Sequence, residues 1–143
     1  MKNTELGFMF FEDYDNLKDI TINAILKVVA KDLGIADQKI EITSLPKGMA
    51  GAVDRSTGRI EMSLQLYGDM YFDSSDEFIR KVMHELRHAW QRENNWDMTG
   101  YPERVSKSTF KQYWNHPTEV DARTYEKRDD LIAEIIAEIK AAV

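Results

Sequence analysis

The stretch KVMHELRHAWQ places His84 and His88 four residues apart, with Glu85 beside the first of them. On a helix, residues at that spacing lie on one face, one turn above the other. Both imidazoles can then aim at a common centre about 2.0–2.1 Å from each nitrogen, the distance that zinc requires. Glu85 swings toward the same space without having to ligate. It is placed to take a proton from a water that the metal activates, since a bound metal lowers the pKa of water to about 7. His-Glu-x-x-His is therefore the beginning of a hydrolytic zinc site. The bland alternative is two polar residues sharing a helix face by coincidence.

Two histidines do not complete a site. A catalytic zinc keeps three protein ligands and an open position, whereas a structural zinc closes its shell with four. The chain has no cysteine, so His, Asp and Glu are the available ligands. The segment NHPTEVDARTYE concentrates the candidates: His116, Glu119, Asp121 and Glu126. Each also has a reading without metal. Glu119 lies in the first turn of an expected helix, where a carboxylate suits the dipole. Thr118 and Asp121 fit a capping pattern, His116 precedes a proline and can simply end a loop, and Glu126 leads into the solvated run KRDD. Asp121 or Asn115 could instead hydrogen-bond the far nitrogen of a ligand histidine. Tyr101, Tyr113 and Tyr125 are candidate donors to a tetrahedral oxyanion.

These residues need elements to hold them. SSDEFIRKVMHELRHAWQREN reads as the strongest helix, capped by Ser74 or Ser75 and apolar along Phe78, Ile79, Val82, Met83, Leu86 and Trp90. Upstream, DNLKDITINAILKVVAKDLGI has helical apolar spacing and a stop at Gly34. KIEITSL alternates like a half-buried strand, and AGAVDRSTGRIEMSLQL reads as two strands around a turn set by Asp54 and Gly58. NNWDMTGYPERVSKS is loop-like, STFKQYWN a short helix, and Pro117 opens one long helix to the carboxyl terminus. The expected fold class is α+β: a small antiparallel sheet packed with an N-terminal helix, the motif helix and a long C-terminal helix.

The 143 residues fit a single domain, 1–143, of ordinary composition, with 43% hydrophobic and 31% charged residues. A net charge of −6 and the lack of any Lys/Arg run argue against nucleic acid as a partner. The start, MKNTELGFMFFEDYD, holds an apolar run of five residues, too short for a secretory core, and no stretch approaches a membrane span. Together with the lack of cysteine, this points to a cytoplasmic protein, or to one released without a classical signal.

Over residues 39–126 or so, the chain resembles the zincin metallopeptidases, and within them the glutamate-zincin branch. There a helix downstream of the HExxH motif offers a glutamate in an E-x-x-A-like setting, which EVDA matches, with Glu119 as the ligand and Ala122 small enough for the two helices to approach. The order of helix, strands, motif helix and glutamate helix is similar too, most of all to small zincins often borne by phages or prophages, including the ImmA/IrrE-type peptidases. The resemblance implies a zinc-dependent metallopeptidase with His84, His88 and Glu119 on Zn²⁺ and Glu85 as general base. It implies a peptide or protein substrate, paired by strand addition to an edge strand in RIEMSL. Two rivals stand beside it: a zincin-like protein that binds or regulates without cleaving, and a structural zinc domain closed by His84, His88, His116 and an acid.

Overall fold

The computed structural model describes residues 14–54 and 57–143. The start of the chain, with its short apolar run, lies outside the described residues. The fold is mixed α+β, with six helices and one three-stranded sheet among those residues.

Helix α1 spans Tyr14–Leu33 and buries Leu17, Ala24, Ile25, Val28 and Val29. It stops where expected, at Gly34, whose φ of 66° closes the last turn through an N–H donated to the Ala30 carbonyl at 2.7 Å. Strands β1 (Ile40–Thr43), β2 (Gly51–Val53) and β3 (Ile60–Ser63) follow. β2 and β3 form the expected antiparallel hairpin, although Arg55 and Ser56 of its turn lie outside the described residues.

The sheet departs from the expectation in two ways. It is not wholly antiparallel: its order is β1-β3-β2, and β1 runs parallel to β3. The hairpin inserts β3 between the other two strands, because Ile60 and Met62, both 0% exposed, make β3 the most deeply buried strand. RIEMSL therefore holds no edge strand, since β3 is paired on both sides. Nor does it extend to Leu66. Ser63 turns the chain into helix α2 (Leu64–Phe72) by accepting the Leu66 N–H at 3.3 Å.

Helix α3, Glu77–Glu93, carries the HELRH motif and packs against α1, α2, β2 and β3. Phe78, Ile79, Val82, Met83 and Leu86 on its apolar face are fully buried, so the helix cannot rotate about its axis without exposing them. At its start Asp76 takes the cap position, its carboxylate engaged by Arg80 at 3.0 Å and not by the helix N–H groups, while Ser75 Oγ accepts the Glu77 N–H at 3.2 Å. Helix α4 (Phe110–Trp114) matches the short helix expected there.

The long C-terminal helix is instead two, α5 (Pro117–Tyr125) and α6 (Asp129–Ala142). Arg80 of α3 spans the break: its guanidinium donates to the Glu126 carbonyl at 2.9 Å and pairs with Asp129 at 2.7 Å. The bend lets α5 pack on α3 while α6 returns to pack on α1 through Leu131, Ile132, Ile135 and Ile139. No helix among the described residues is long and apolar enough to cross a membrane.

Candidate metal centre

α3 projects His84 and His88 from successive turns, and α5 faces them with Glu119 from its own first turn. Pro117 opens α5 at a position where its missing N–H costs nothing, and Ala122, 0% exposed, fits into the α3 interface. The ligand atoms of His84, His88 and Glu119 all lie within 4.8 Å of one another. In detail, His84 Nε2 is 3.2 Å from His88 Nε2, and Glu119 sets Oε1 3.1 Å from His84 Nε2 and Oε2 2.8 Å from His88 Nε2. Tetrahedral ligands about 2.0–2.1 Å from a shared zinc stand roughly 3.3–3.4 Å apart. The separations of 2.8–3.2 Å, measured to both oxygens of Glu119, fall roughly 0.1–0.6 Å short of such an arrangement, so a small outward shift of the side chains lets this cluster hold a metal ion.

The far nitrogens of both histidines are occupied. His84 Nδ1 is 2.8 Å from Glu126 Oε1, and Lys81 Nζ reaches the other oxygen of that carboxylate at 3.0 Å. His88 Nδ1 is 2.8 Å from Gln91 Oε1. With each Nδ1–H donated in this way, each Nε2 is left for a metal. Gln91 is itself pinned: its amide donates to the Thr118 carbonyl at 2.8 Å and to Asp121 Oδ2 at 2.9 Å. Arg87 closes the same joint with a two-pronged pair to Asp121, at 2.7 and 3.1 Å.

The remaining candidates therefore have other work. Asp121 is engaged by Arg87 and Gln91 and touches neither histidine. Asn115 sits in the cap position after α4 and orients no ligand ring in the described contacts. His116 caps α5: its Nδ1 accepts from the Thr118 N–H at 3.2 Å and the Thr118 hydroxyl at 2.8 Å, while its Nε2–H reaches the Thr99 carbonyl at 3.0 Å. It is not in the metal cluster, which leaves the four-ligand set built on His116 without its third histidine. Glu126, read as solvated, is 7% exposed and orients His84. Gln91 went unnoticed in the sequence; its spacing of three from His88 on a helix was the available signal.

Of the tyrosines, Tyr125 turns away and donates to Asp32 at 2.9 Å, whereas Tyr101 donates to Glu119 Oε2 at 2.9 Å. Tyr113 packs edge-on to Tyr101, with ring centroids 6.0 Å apart, and its hydroxyl also meets Glu119.

Electrostatics follow from this crowding. Burial lowers the basicity of His84, but its hydrogen bonds to Glu119 and Glu126 outweigh that and raise its pKa to about 9. Burial opposes ionisation of Glu119 too, yet the two histidines hold its pKa well below the usual carboxylate range. Glu85 is the reverse case: burial pushes its carboxyl up, against the pull of His88 and His84. Glu85 and His88 open onto a cavity of about 710 Å³, walled by Val53 of β2 and by Trp96, Met98, Tyr101 and Pro102. The arrangement brings a metal-ion triad, a carboxylate that burial pushes toward the proton-carrying form, and a space for a ligand into one place.

No protein family, no curated protein and no solved structure matches this chain.

Proposed function

We propose that the chain is a zincin-like metallopeptidase that hydrolyses peptide bonds with zinc on His84, His88 and Glu119. One observation carries the reading: two histidines and one glutamate converge from two helices, and Glu85 fronts the same cavity. Two histidines and a glutamate are a donor set of catalytic zinc, with the fourth position left to the reaction. The preset Nδ1 partners favour this use, because orienting groups cost a ligand histidine little freedom on binding. Lack of cysteine fits work in a reducing, cytoplasmic setting.

Zinc, when bound, supplies a Lewis acid for the scissile carbonyl and makes water a nucleophile near neutral pH. Glu85 takes the proton from the attacking water and passes it to the departing amine nitrogen, so the C–N bond breaks without leaving an amide anion. Burial raises its pKa from the ordinary carboxylate value, which suits a group that must hold that proton between the two steps. Tyr101 and Tyr113 both meet Glu119, and Tyr101, which also lines the cavity, is the better candidate to turn its hydroxyl from Glu119 to an oxyanion. The strand that can receive an extended peptide is β2. Ser63 donates to the Ala50 carbonyl and Asp54 to the Arg59 carbonyl, so the intervening Gly51 and Val53 direct their backbone groups to the free edge.

The test is zinc per chain by mass spectrometry on untagged, dialysed protein, followed by cleavage of a proteome-derived peptide library. One equivalent of zinc, with turnover lost in Glu85→Gln while the metal stays, is the expected result. Turnover that survives Glu85→Gln would sink the mechanism, and failure to take up zinc would sink the centre itself.

A further inference from the structure

The cavity beside the metal centre has a wall built by the way α3 ends. Asn95 adopts φ of 55°, in the left-handed region, and donates its N–H to the Arg92 carbonyl at 3.2 Å. Trp96 then donates its N–H back to the Gln91 carbonyl at 3.0 Å. Those two bonds are the pattern of a Schellman helix end, which brings the residue after the left-handed one back against the last turn. Trp96 accordingly packs edge-on to Trp90, with centroids 5.5 Å apart, and Trp90 is held beneath the Arg87 guanidinium at 3.8 Å. So Gln91, whose side chain orients His88, also anchors Trp96 through its backbone. The tryptophan and the ligand histidine ride on one rigid helix end.

Trp96 lines the cavity although it is only half-buried, and Met98 lines it at 48% exposed. Val53 completes the slot from β2. Val53 rests on the core and Trp96 on Trp90, yet both, with Met98, keep apolar surface facing the cavity, which a ligand side chain would bury. Arg92 and Glu103 bring one charge of each sign to the cavity walls, so they give no net preference for a charged group. We propose that the slot between β2 and the end of α3 takes a large apolar side chain of an extended peptide, with Trp96 as the specificity-determining residue. The substrate class is thus an extended peptide with a bulky aliphatic or aromatic residue next to the bond held at the metal. This rests on the metallopeptidase reading for the position of that bond, but not for the apolar slot.

The experiment uses two probes. Peptide hydroxamates with Phe, Leu, Gly or Glu side chains are titrated calorimetrically into the zinc-loaded chain. Random displayed peptides are selected against Glu85→Gln with and without zinc. The Phe and Leu compounds should bind about 10–100-fold tighter than Gly or Glu. Trp96→Ala should cut that ratio to a few-fold, and the exposed Met98→Glu should lower it as well, without depending on how Trp96→Ala folds. Selected peptides should share a large apolar position that Trp96→Ala loses. Equal binding of all four hydroxamates, a preference for Glu, or apolar selection that survives both substitutions overturns the proposal. Apolar selection with no zinc-dependent hydroxamate binding supports the slot and refutes the metallopeptidase reading, which keeps the two failures apart.

Discussion

His88 Nδ1 lies 2.8 Å from Gln91 Oε1, and the amide end of the same side chain reaches across to the Thr118 carbonyl and Asp121 of α5. One side chain therefore sets the ring of His88 on α3 and ties α3 to the helix that carries Glu119. Gln91→Leu keeps much of the bulk and removes both functions. Zinc affinity, measured by chelator competition, should fall about 10–100-fold. Unchanged affinity would mean that the ring is held by packing alone.

Glu119 lies against the Nε2 atoms of both histidines, whereas Glu126 meets only His84 Nδ1, so the proposed centre makes the first a ligand and the second an orienting group. Glu119→Ala should abolish stoichiometric zinc. Glu126→Gln keeps an oxygen to accept the His84 Nδ1–H, so it should weaken zinc by roughly 10-fold, at the mild end for such partners. Zinc content and competition titrations on the two variants read this out. Equal losses would argue that Glu126 also ligates.

The metal-free chain should have a pH-dependent stability set by the same cluster. His84, raised to about 9 by its two carboxylate partners, contributes stability that is fully present below its ordinary value of 6.5 and is lost as pH rises through about 9. Glu119 and Glu126 are held below their ordinary 4.5, so their contribution is present above that value and fades as pH falls below it. Thermal midpoints of the metal-free protein should therefore decline on both sides of a plateau at about pH 5–6.5. Because a metal must displace the His84 proton, its affinity should rise with pH over the range where the apo midpoint falls. A midpoint flat from pH 6 to 9.5 would contradict the assignment.

Arg87 is worth more than a surface charge. It forms the two-pronged pair with Asp121 and lies 3.8 Å over the Trp90 ring. Arg87→Lys retains the charge but neither the fork nor the stacking plane. It should cost about 1.5–3 kcal/mol in denaturant unfolding, and a loss below about 0.5 kcal/mol would mark the pair as ornamental.

Ala122 sets how close α5 approaches. Ala122→Leu should cost about 1–3 kcal/mol by overpacking and should also weaken zinc, since it moves Glu119 away from the histidines. A folded Ala122→Leu chain with normal zinc affinity would show that the interface yields elsewhere.

The sequence by itself determined the local part of this centre. A period of about 3.6 residues puts His84 and His88 on one face of any helix through KVMHELRH, and the deep apolar stripe of α3 orients that face. Gly34 and Pro117 punctuate the chain for local steric reasons, so those two element bounds were legible, whereas Ser63, which ends β3 and caps α2, reads from the sequence as lying within a strand. What lay between elements was not legible. Nothing local distinguishes Glu119, Asp121 and Glu126, two acids on a short helix and one at its end; only the distances between α3 and α5 show that Glu119 faces both histidines, Asp121 the Arg87 fork and Glu126 the far side of His84. At the break between α5 and α6 the Glu126 carbonyl is met by Arg80, far away in sequence, a contact that no local pattern announces. Strand order was likewise decided by which strand the core buries most, which placed β3 at the centre and left β2 as the free edge beside the cavity. Periodicity is a property of a segment, whereas a ligand set and a sheet edge are properties of how segments meet.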